Sequence, residues 1–526
     1  MAVDTRMDRP ALPVPPTADR LAELVARARA SGTKRLTVVA PYTGETLVEL
    51  PQSTRKDIAE AYREAGEAQA RWARVPPRER ARVLLRLHDL VLDRQREVLD
   101  LVQWENGKAR AHAFEEVADV ALSCRYYGRS GPAYLMPRRR AGLVPLLTQV
   151  VELHHPVGVV GVVSPWNYPL ALGASDTLAA LLAGNAVVQR PDPQTSLACL
   201  WAAGLAREAG LPDGLWQIVL GSGEQVGSAV LDQADYVMFT GSTRTGRNVA
   251  QRAGRRLVGC TLELGGKNPM LVLRDADLDR AAEGAVRACF SSSGQLCISM
   301  ERVCVAASRY DAFVERFVAR IEAMRLGAAF DFSMDMGSLT SQHQLDVVSA
   351  HVEDAREQGA HVLTGGVARP DLGPFFYAPT LLANVPGTAK CATEETFGPV
   401  VSVVPFRGED EAVRLANQGD YGLNASVWTT DIARGRDIAS RIRAGTVNVN
   451  EAYAAAWGSM DAPMGGMGDS GLGRRHGAVG VLKYTEPQTV AVQRVMGLGR
   501  PPGVTGEQWA TLFTGGLRAL KRLGRR

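Results

Sequence analysis

Four short apolar runs in the middle of the chain constrain the fold more than any other feature of the sequence. They read VGVVGVVSPWNYP, NAVVQRPDP, LWQIVLGSG and YVMFTGSTRTG, and each ends in glycine or proline before a helix-like stretch. Strands that are apolar along their whole length are typical of parallel sheets with helices packed on both faces. The sequence therefore predicts a doubly wound α/β domain built on a parallel sheet.

The whole chain, at 526 residues, is too long for one hydrophobic core, and the helix and strand patterns change along its length, which indicates further domains. Early residues follow a helical pattern, and a second set of helix and strand patterns begins after LELGGK. Two stretches alternate like exposed strands, which predicts an arm that pairs with another subunit. The predicted units are a loose N-terminal arm (1–18), a dinucleotide-binding domain (19–136 and 156–265), a catalytic α/β domain (266–465), an oligomerisation arm (137–155 and 485–498) and a basic amphipathic extension (499–526).

Composition and charge exclude several classes of function. A hydrophobic fraction of 46% with 53 glycines is that of an ordinary globular protein. A net charge of +4 with scattered basic residues argues against a nucleic-acid-binding surface, and no apolar run is long enough to span a membrane. Seven widely spaced cysteines without a CxxC pair indicate reduced thiols, no metal site and a cytoplasmic location.

One cysteine lies in a context that favours chemistry. The segment SSSGQLCISM sets Cys297 among small, flexible residues, and Gly294 lets other backbone approach the thiol. Most free cysteines in large cytosolic chains are core residues, so this segment alone does not establish a nucleophile. A thiol nucleophile also needs a base, a group that holds the oxyanion and an electron acceptor.

Candidates for these partners stand in three other segments. TLELGGKNP carries Glu263, and PWNYP carries Asn167 at the carboxyl end of a predicted strand, where parallel sheets form ligand crevices. FTGSTRTGR places Gly241 and Ser242 between a strand and a helix, where free backbone N–H groups bind phosphate. Together with Cys297 these residues predict covalent catalysis beside a bound nucleotide.

Six motifs occur in an order and spacing that resemble the NAD(P)-dependent aldehyde dehydrogenases: PWNYP, FTGST, LELGGKNP, GQLC, EETFGPV and PMGGMGDSGLGR. The resemblance covers roughly residues 20 to 495. It implies an α/β fold with a Rossmann-type cofactor domain, an α/β catalytic domain and a β-strand oligomerisation arm. It also implies NADP or NAD as the cofactor, an aldehyde as the substrate and a homodimer or homotetramer.

The resemblance implies a role for each candidate. Cys297 is expected to attack the aldehyde carbon, Asn167 and the Cys297 backbone N–H to hold the oxyanion, and Glu263 to activate the water that hydrolyses the thioester. A glutamate in an apolar crevice has a raised pKa, which suits proton transfer near neutral pH. The positions that match cofactor contacts are Trp166, Gly221 and Ser242 along the adenosine and pyrophosphate, Glu395 at a ribose and Phe397 behind the nicotinamide.

The sequence departs from its family at the end of the second predicted strand. The usual KPSE-like turn is RPDP here, with Arg190 in place of lysine and Pro193 where a glutamate often holds the adenosine ribose. A carboxylate at that place repels a 2′-phosphate, whereas an arginine can bind one with two hydrogen bonds. We therefore expect NADP to be accepted and preferred.

A second departure exchanges two charges. Many family members carry a lysine nine residues after the asparagine and a glutamate directly after the GR of SGxGR, whereas this chain has Asp176 and Arg475. We hypothesise that the two form a reversed ion pair, because a single unpartnered charge at that depth is costly. The alternative is that they are two unrelated surface charges.

The third departure concerns the substrate. GMGDSGLGR, Ser459 and the YTE ending resemble the succinate-semialdehyde dehydrogenase branch, yet Ser175 and Ser291 stand where carboxylate-binding arginines are expected. Each lost charge-assisted bond costs about 1.5 to 3 kcal/mol, so succinate semialdehyde is expected to bind weakly. An open apolar passage is expected instead, lined by Tyr168, Leu296, Ile298 and Met464.

Other functions remain as alternatives at this stage. A CoA-acylating relative needs no water-activating base, so Glu263 argues against it. A non-catalytic scaffold or binding member of the fold usually loses the nucleophile or the base, and both are present. A peripheral-membrane fatty-aldehyde dehydrogenase is favoured by the C-terminal residues 507–526, where apolar residues stand at helical spacing with basic residues opposite, a pattern that can make a weak contact with an anionic membrane. A helix packed on the subunit or exposed to solvent also explains that pattern.

Overall fold

The helical pattern of the early chain forms a layer that packs against the later sheets. The computed structural model describes residues 14–143, 148–493, 499–522 and 524. Thr54 and Asp57 form a capping box that starts the second helix. The helices of this layer are α1 (Ala18–Val25), α2 (Arg55–Trp72), α3 (Pro77–Asp93), α4 (Gln95–Asn106) and α5 (Arg110–Tyr134).

A hairpin interrupts this layer, which the mostly helical pattern did not predict. It consists of β1 (Arg35–Val39) and β2 (Thr46–Pro51), paired antiparallel. Its turn contains Gly44 at φ +76°, a backbone conformation that glycine adopts without strain. The β-branched residues and this turn are local strand signals that the surrounding charged helices obscured. The chain then leaves the layer through β3 (Arg138–Arg140) and β4 (Thr148–Pro156).

The four apolar runs form parallel strands, as predicted. They are the core of a six-stranded sheet whose first strand, β5, is buried along its whole length. The elements are β5 (Val159–Ser164), α6 (Pro169–Ala183), β6 (Ala186–Pro191), α7 (Leu197–Glu208), β7 (Trp216–Ile218), α8 (Ser228–Leu231), β8 (Tyr236–Thr240), α9 (Thr243–Arg256) and β9 (Gly259–Glu263). The chain runs from β5 to β6 and β7 on one side and to β8 and β9 on the other, so a crevice opens beyond the carboxyl end of β5.

The second α/β domain contains a seven-stranded sheet in the order β12-β13-β14-β11-β10-β15-β16. All of its neighbours pair in parallel except β12 and β13. The elements are β10 (Asn268–Val272), α10 (Leu278–Phe290), β11 (Met300–Ala306), α11 (Tyr310–Glu322), α12 (Gln342–Glu357), β12 (His361–Thr364), β13 (Thr380–Ala383), α13 (Lys390–Thr393), β14 (Val400–Phe406), α14 (Glu409–Ala416), β15 (Asn424–Trp428), α15 (Ile432–Arg441), β16 (Thr446–Val449) and α16 (Ala454–Trp457).

The chain then returns to the first sheet. The short strand β17 (Gly471–Leu472) pairs antiparallel with β9, which sets Gly471 opposite Glu263. After α17 (Gly477–Leu482), β18 (Thr485–Gln493) pairs with β4, and β4 also pairs with β3. The two segments predicted to alternate as exposed strands therefore join one small sheet, although residues 144–147 and 494–498 of those segments lie outside the described residues.

The C-terminal pattern forms a helix, α18 (Gly506–Arg522), despite Gly515 and Gly516 in its middle. None of its residues is buried. Residues 523, 525 and 526 of the extension, and residues 1–13 of the N-terminal arm, lie outside the described residues. Within the described part of the chain, no helix combines the length and the apolar character needed to cross a bilayer.

Candidate active site

The structure brings the predicted catalytic residues into one cavity. The cavity has a volume of about 230 Å³ and lies in the crevice beyond β5, where the two large sheets face each other. Its lining includes Asn167, Glu263 and Cys297, and Glu395 and Phe397 border it as well. Residues from both domains therefore contribute to a single site.

The loop before Cys297 is held by its backbone conformation. Ser292, Ser293 and Gly294 have φ values of +51°, +57° and +70°, so the chain turns sharply after α10. A Cβ at Gly294 would lie 2.1 Å from the carbonyl oxygen of Gly398, so only glycine fits there. Ser291, Ser292 and Ser293 are buried, and the Ser293 hydroxyl donates to the carbonyl oxygens of Gly337 and Ser338.

The Cys297 thiol is half-buried, and the side-chain amide of Asn268 donates a 2.8 Å hydrogen bond to the Cys297 carbonyl oxygen. Burial raises the pKa of the thiol to about 12, and the nearby Glu395 and Glu263 carboxylates add to this effect. The resting thiol is therefore protonated at neutral pH. It needs a neighbouring proton acceptor before it can act as a nucleophile.

Glu263 ends β9 with its side chain in the cavity. Its Oε1 atom is buried and has no hydrogen-bond partner among the described residues. Burial raises the pKa of this carboxyl to about 7, although the Arg475 and Lys483 cations oppose the shift. A carboxyl that is half ionised at neutral pH and has a free oxygen is suited to take a proton from a thiol or a water.

Asn167 follows β5 and is almost fully buried. Its Nδ2 atom donates a 2.9 Å hydrogen bond to the carbonyl oxygen of Gln295, two residues before Cys297. An amide nitrogen carries two hydrogens, so the second one is left for an oxyanion formed at the thiol.

A second cavity of about 770 Å³ continues the first, because Trp166, Gly241 and Ser242 border both. The Ser242 hydroxyl caps α9 by accepting a hydrogen bond from the Thr245 N–H, and the N–H groups that precede Thr245 in that helix are available to a phosphate. Arg190 also lines this cavity. The elongated space, the helix start and the cation fit a dinucleotide.

Gly221 is not among the residues that line this second cavity, although Arg190 and Gly223 are. Gly221 is buried, and its carbonyl oxygen accepts a 2.8 Å hydrogen bond from Arg190 Nε. A Cβ at Gly221 would lie 2.2 Å from the Val226 side chain, so packing against Val226 is what requires a glycine.

Glu395 and Phe397 form the opposite wall. Glu395 accepts a 2.9 Å hydrogen bond from the Gly266 N–H, and burial followed by the charge of Glu301 raises its pKa to about 8. The Phe397 ring meets the Trp166 ring edge-on with centroids 5.4 Å apart. The two walls of the cavity are thus held in contact.

Sequence reasoning missed the residues that hold this wall. Glu301 accepts hydrogen bonds of 3.0 Å from the backbone N–H groups of Thr396 and Phe397, and it forms a buried ion pair with Lys267. Lys267 stands in the LELGGKNP motif, whereas nothing in the local pattern around Glu301 indicates its partner.

The hypothesis of a reversed ion pair is confirmed. Arg475 and Asp176 are both buried and form an ion pair, and Lys483 Nζ lies 3.0 Å from the other oxygen of Asp176. Burial alone would raise the pKa of Asp176, yet the two cations hold it well below its usual range. The alternative of two unrelated surface charges is wrong, and Lys483 is a partner that the sequence did not indicate.

The expected passage residues share one apolar cluster. Tyr168, Leu296, Ile298 and Met464 are buried in it, and Cys297 packs against it. Beside them, the Ser175 hydroxyl donates to the buried Asp119 carboxylate. One of the two serines that stand in place of the expected arginines is therefore hydrogen-bonded to a carboxylate.

Comparison with known proteins identifies the class. Residues 28–490 match the aldehyde dehydrogenase family, and the chain belongs to that family. Its chemistry is the NAD(P)-dependent oxidation of an aldehyde.

Individual proteins and solved structures are also similar to this chain. The chain is 50% identical to a Mycolicibacterium smegmatis protein provisionally named succinate-semialdehyde dehydrogenase (NADP+), with 97% of this chain and 99% of the relative covered. It resembles the structure of an NAD-dependent aldehyde dehydrogenase from Sinorhizobium meliloti, with a TM-score of 0.85, 34% identity and coverage of 91% and 94% of the two chains. Betaine aldehyde dehydrogenase of Staphylococcus aureus in complex with NAD+ is similar, with a TM-score of 0.84, 28% identity and coverage of 89% and 95%.

The raised pKa of Glu263 predicts the pH dependence of turnover. A carboxyl acts as a base only when it is ionised, so we expect turnover to rise with pH through about 7 and to level off above it. Glu263→Gln should remove that rise and lower steady-state turnover by about 10²- to 10⁴-fold, while a burst of hydride transfer remains but is slower, because the thiol must then lose its proton to solvent. Stopped-flow absorbance of the reduced nicotinamide across pH 5.5 to 9, a range of about 1.5 to 2 units on either side of the titration, measures both. An unchanged pH profile in Glu263→Gln would contradict the assignment.

Asp176 should influence the same titration. Its negative charge raises the pKa of Glu263, so Asp176→Asn should move the rise in turnover to lower pH. Two cations would also be left unpaired, which is expected to cost about 3–5 kcal/mol of unfolding free energy. Reversing both charges together, with Asp176→Lys and Arg475→Glu, should restore activity only in part, because the cation at position 176 would face Lys483. Denaturant unfolding and pH profiles of these variants test the prediction, and a shift to higher pH in Asp176→Asn would refute it.

Proposed function

We propose that the protein oxidises succinate semialdehyde or a related medium-sized aliphatic aldehyde to its acid, with NADP preferred over NAD. In this proposal Cys297 is the nucleophile, Glu263 the general base and Asn167 the oxyanion donor. The observation that carries it is the cavity that holds a thiol, an unpartnered carboxylate oxygen and an amide donor at the end of a nucleotide-sized space.

The reaction begins when the Glu263 carboxylate, which is partly ionised at neutral pH, takes the proton of the Cys297 thiol. Because the thiol has the higher pKa, this transfer is unfavourable by itself and is driven by the bond that the sulfur forms with the aldehyde carbon. The sulfur then bonds to the aldehyde carbon, and the oxyanion receives hydrogen bonds from Asn167 Nδ2 and the Cys297 backbone N–H. Each such donor contributes roughly 3 kcal/mol in comparable sites. The nicotinamide, when bound, supplies the acceptor for the hydride that leaves this carbon.

Hydrolysis completes the cycle. After the proton on Glu263 has passed to solvent, the carboxylate removes a proton from a water that attacks the thioester carbon. The carbon–sulfur bond breaks, and the carboxylic acid and the Cys297 thiolate are released.

The place of Glu263 in the cavity supports hydrolysis rather than transfer of the acyl group to CoA. The presence of both nucleophile and base argues against a non-catalytic scaffold.

The preference for NADP rests on the charge of the adenosine-side cavity. Arg190, Arg252 and Arg255 line it, and Pro193 replaces the carboxylate that would repel a 2′-phosphate. Arg190 Nη1 lies 3.6 Å from Asp192, so the guanidinium is partly compensated but keeps donors for a ligand. The name of the Mycolicibacterium smegmatis relative specifies NADP+.

The proposed substrate and cofactor can be tested in one assay. A panel of succinate semialdehyde and neutral aliphatic aldehydes, run with each cofactor, should give the higher kcat/KM with NADP. Arg190→Gln should raise the KM for NADP by about 10- to 100-fold and leave the KM for NAD nearly unchanged, because only NADP loses a charge-assisted bond. Cys297→Ala is the control and should show no turnover. A wild-type KM for NADP far above that for NAD would overturn the preference.

We further propose that the protein is a cytoplasmic homodimer or homotetramer. Unpaired thiols are typical of a reducing compartment, and all seven cysteines are free. The sheet β18-β4-β3 leaves Val490 and Val492 exposed at 41% and 48%, which supports pairing of the 137–155 and 485–498 arm with another subunit.

A second candidate property concerns the membrane surface. Helix α18 has no buried residue, and Leu512 and Leu517 are 66% and 52% exposed. Arg518, Lys521 and Arg522 follow in its last turns, so apolar and cationic groups are both available to an anionic bilayer. This would suit a peripheral enzyme that acts on fatty aldehydes.

Vesicle co-sedimentation tests this property. The full chain should sediment with vesicles of anionic lipid at low salt, and less so at high salt, because surface attraction is screened. Deleting residues 501–526, or changing Leu512→Glu with Leu517→Glu, should abolish sedimentation. Leu257→Glu, at a leucine that is 94% exposed outside α18, is the matched control and should change nothing. Equal sedimentation of the truncated chain would contradict the proposal.

A further inference from the structure

A buried ion pair outside the cavity contacts the turn that carries Asn167. Lys108 and Glu116 are 0% exposed, and Lys108 Nζ lies 2.7 Å from Glu116 Oε1. Removing two charges from water is costly, so such a pair persists only when further hydrogen bonds satisfy both groups. Those further bonds all lead to the turn between β5 and α6.

The two charges hold the two ends of that turn. Lys108 Nζ donates a 2.6 Å hydrogen bond to the carbonyl oxygen of Asn167 and lies 3.6 Å from the centre of the Tyr168 ring. Glu116 Oε2 accepts hydrogen bonds of 2.8 and 3.1 Å from the N–H groups of Leu170 and Ala171, in the first turn of α6. The backbone on either side of the Asn167 side chain is therefore fixed.

The same segment also reaches the Cys297 loop. Asn106 Nδ2 donates to the carbonyl oxygen of Trp166 at 2.9 Å and to the hydroxyl of Thr340 at 3.2 Å. The Thr340 N–H donates to Gln295 Oε1 at 3.0 Å, and the Gln295 carbonyl oxygen is the acceptor of the Asn167 amide. Residues 106–108 thus connect the oxyanion donor with the loop that carries the nucleophile.

We propose that Lys108 and Glu116 are positioning residues for the oxyanion hole, which act by fixing the direction of the Asn167 amide. They do not touch substrate, because both are fully buried outside the lining of the cavity. The proposal rests on the proposed role of Asn167. A displacement of this amide by about 1 Å would weaken catalysis by up to about 100-fold without changing cofactor binding.

A second buried ion pair provides a matched control. Lys267 and Glu301 are almost as deeply buried as Lys108 and Glu116, but Glu301 holds the backbone of Thr396 and Phe397 on the nicotinamide side. Lys267→Met should therefore change the KM for the cofactor. Lys108→Met should change the rate of hydride transfer and leave that KM unchanged.

A double-mutant cycle tests the inference. The hydride burst rate is measured by stopped flow for the wild type, Lys108→Met, Asn167→Ala and the double variant, with cofactor affinity measured separately by fluorescence. Lys108→Met should slow the burst by about 10- to 100-fold in the wild type but by less than about 2-fold in the Asn167→Ala background, because the pair acts through that amide. Glu116→Gln, which keeps a hydrogen-bond acceptor, should show a smaller loss in the same direction and serves if Lys108→Met does not fold.

Each contrary result has a distinct meaning. An equal loss in both backgrounds would overturn the inference, because Lys108 would then act independently of Asn167. A rise in the cofactor KM for Lys108→Met equal to that for Lys267→Met would also overturn it and leave only a role in stability. A wild-type burst rate in Asn167→Ala would refute the proposed oxyanion donor itself, and with it the inference.

Discussion

The hydrogen bond from Asn167 to the Gln295 carbonyl joins the two domains at the reacting atoms, and the rest of the site depends on it. It connects the turn after β5 with the loop before Cys297 across 128 residues of sequence. Neither side of this contact is held by its neighbours in sequence alone. The turn is fixed by Lys108 and Glu116, and the loop, after three residues with positive φ, is held by the hydrogen bond from the Thr340 N–H to the Gln295 side chain.

Burial sets the proton chemistry around this contact. The Cys297 thiol, Glu263 and Glu395 all have raised pKa values, because each has lost water in a narrow crevice. The Arg475, Lys483 and Asp176 cluster limits this effect at Glu263, since its two cations lower the pKa of the carboxyl and its carboxylate raises it. The base therefore titrates near neutral pH, between the extremes that desolvation alone or cations alone would produce.

The reversal of charge at Asp176 and Arg475 shows how a pair can be inferred from sequence and still be incomplete. Two opposite charges in exchanged places predicted a contact, because leaving either one alone at that depth would be costly. Lys483 was not predicted, although it contacts the same carboxylate from 307 residues away. Gly221 carries a packing constraint that its motif does not indicate, since a Cβ there would lie 2.2 Å from the Val226 side chain.

The sequence alone determined the parallel sheet, the order of the motifs and the identity of the three residues that share one cavity, Asn167, Glu263 and Cys297. These features follow from local patterns: apolar runs make buried strands, and glycine-rich turns at strand ends make ligand crevices. The tertiary structure alone decided which groups hold those residues in place. Lys108 lies 59 residues before Asn167, and Glu301 lies 95 residues before Thr396, so no local pattern indicates either contact. A buried charge is satisfied by whichever backbone groups folding brings within hydrogen-bond distance, and that distance is set by the packing of helices and sheets from separate parts of the chain.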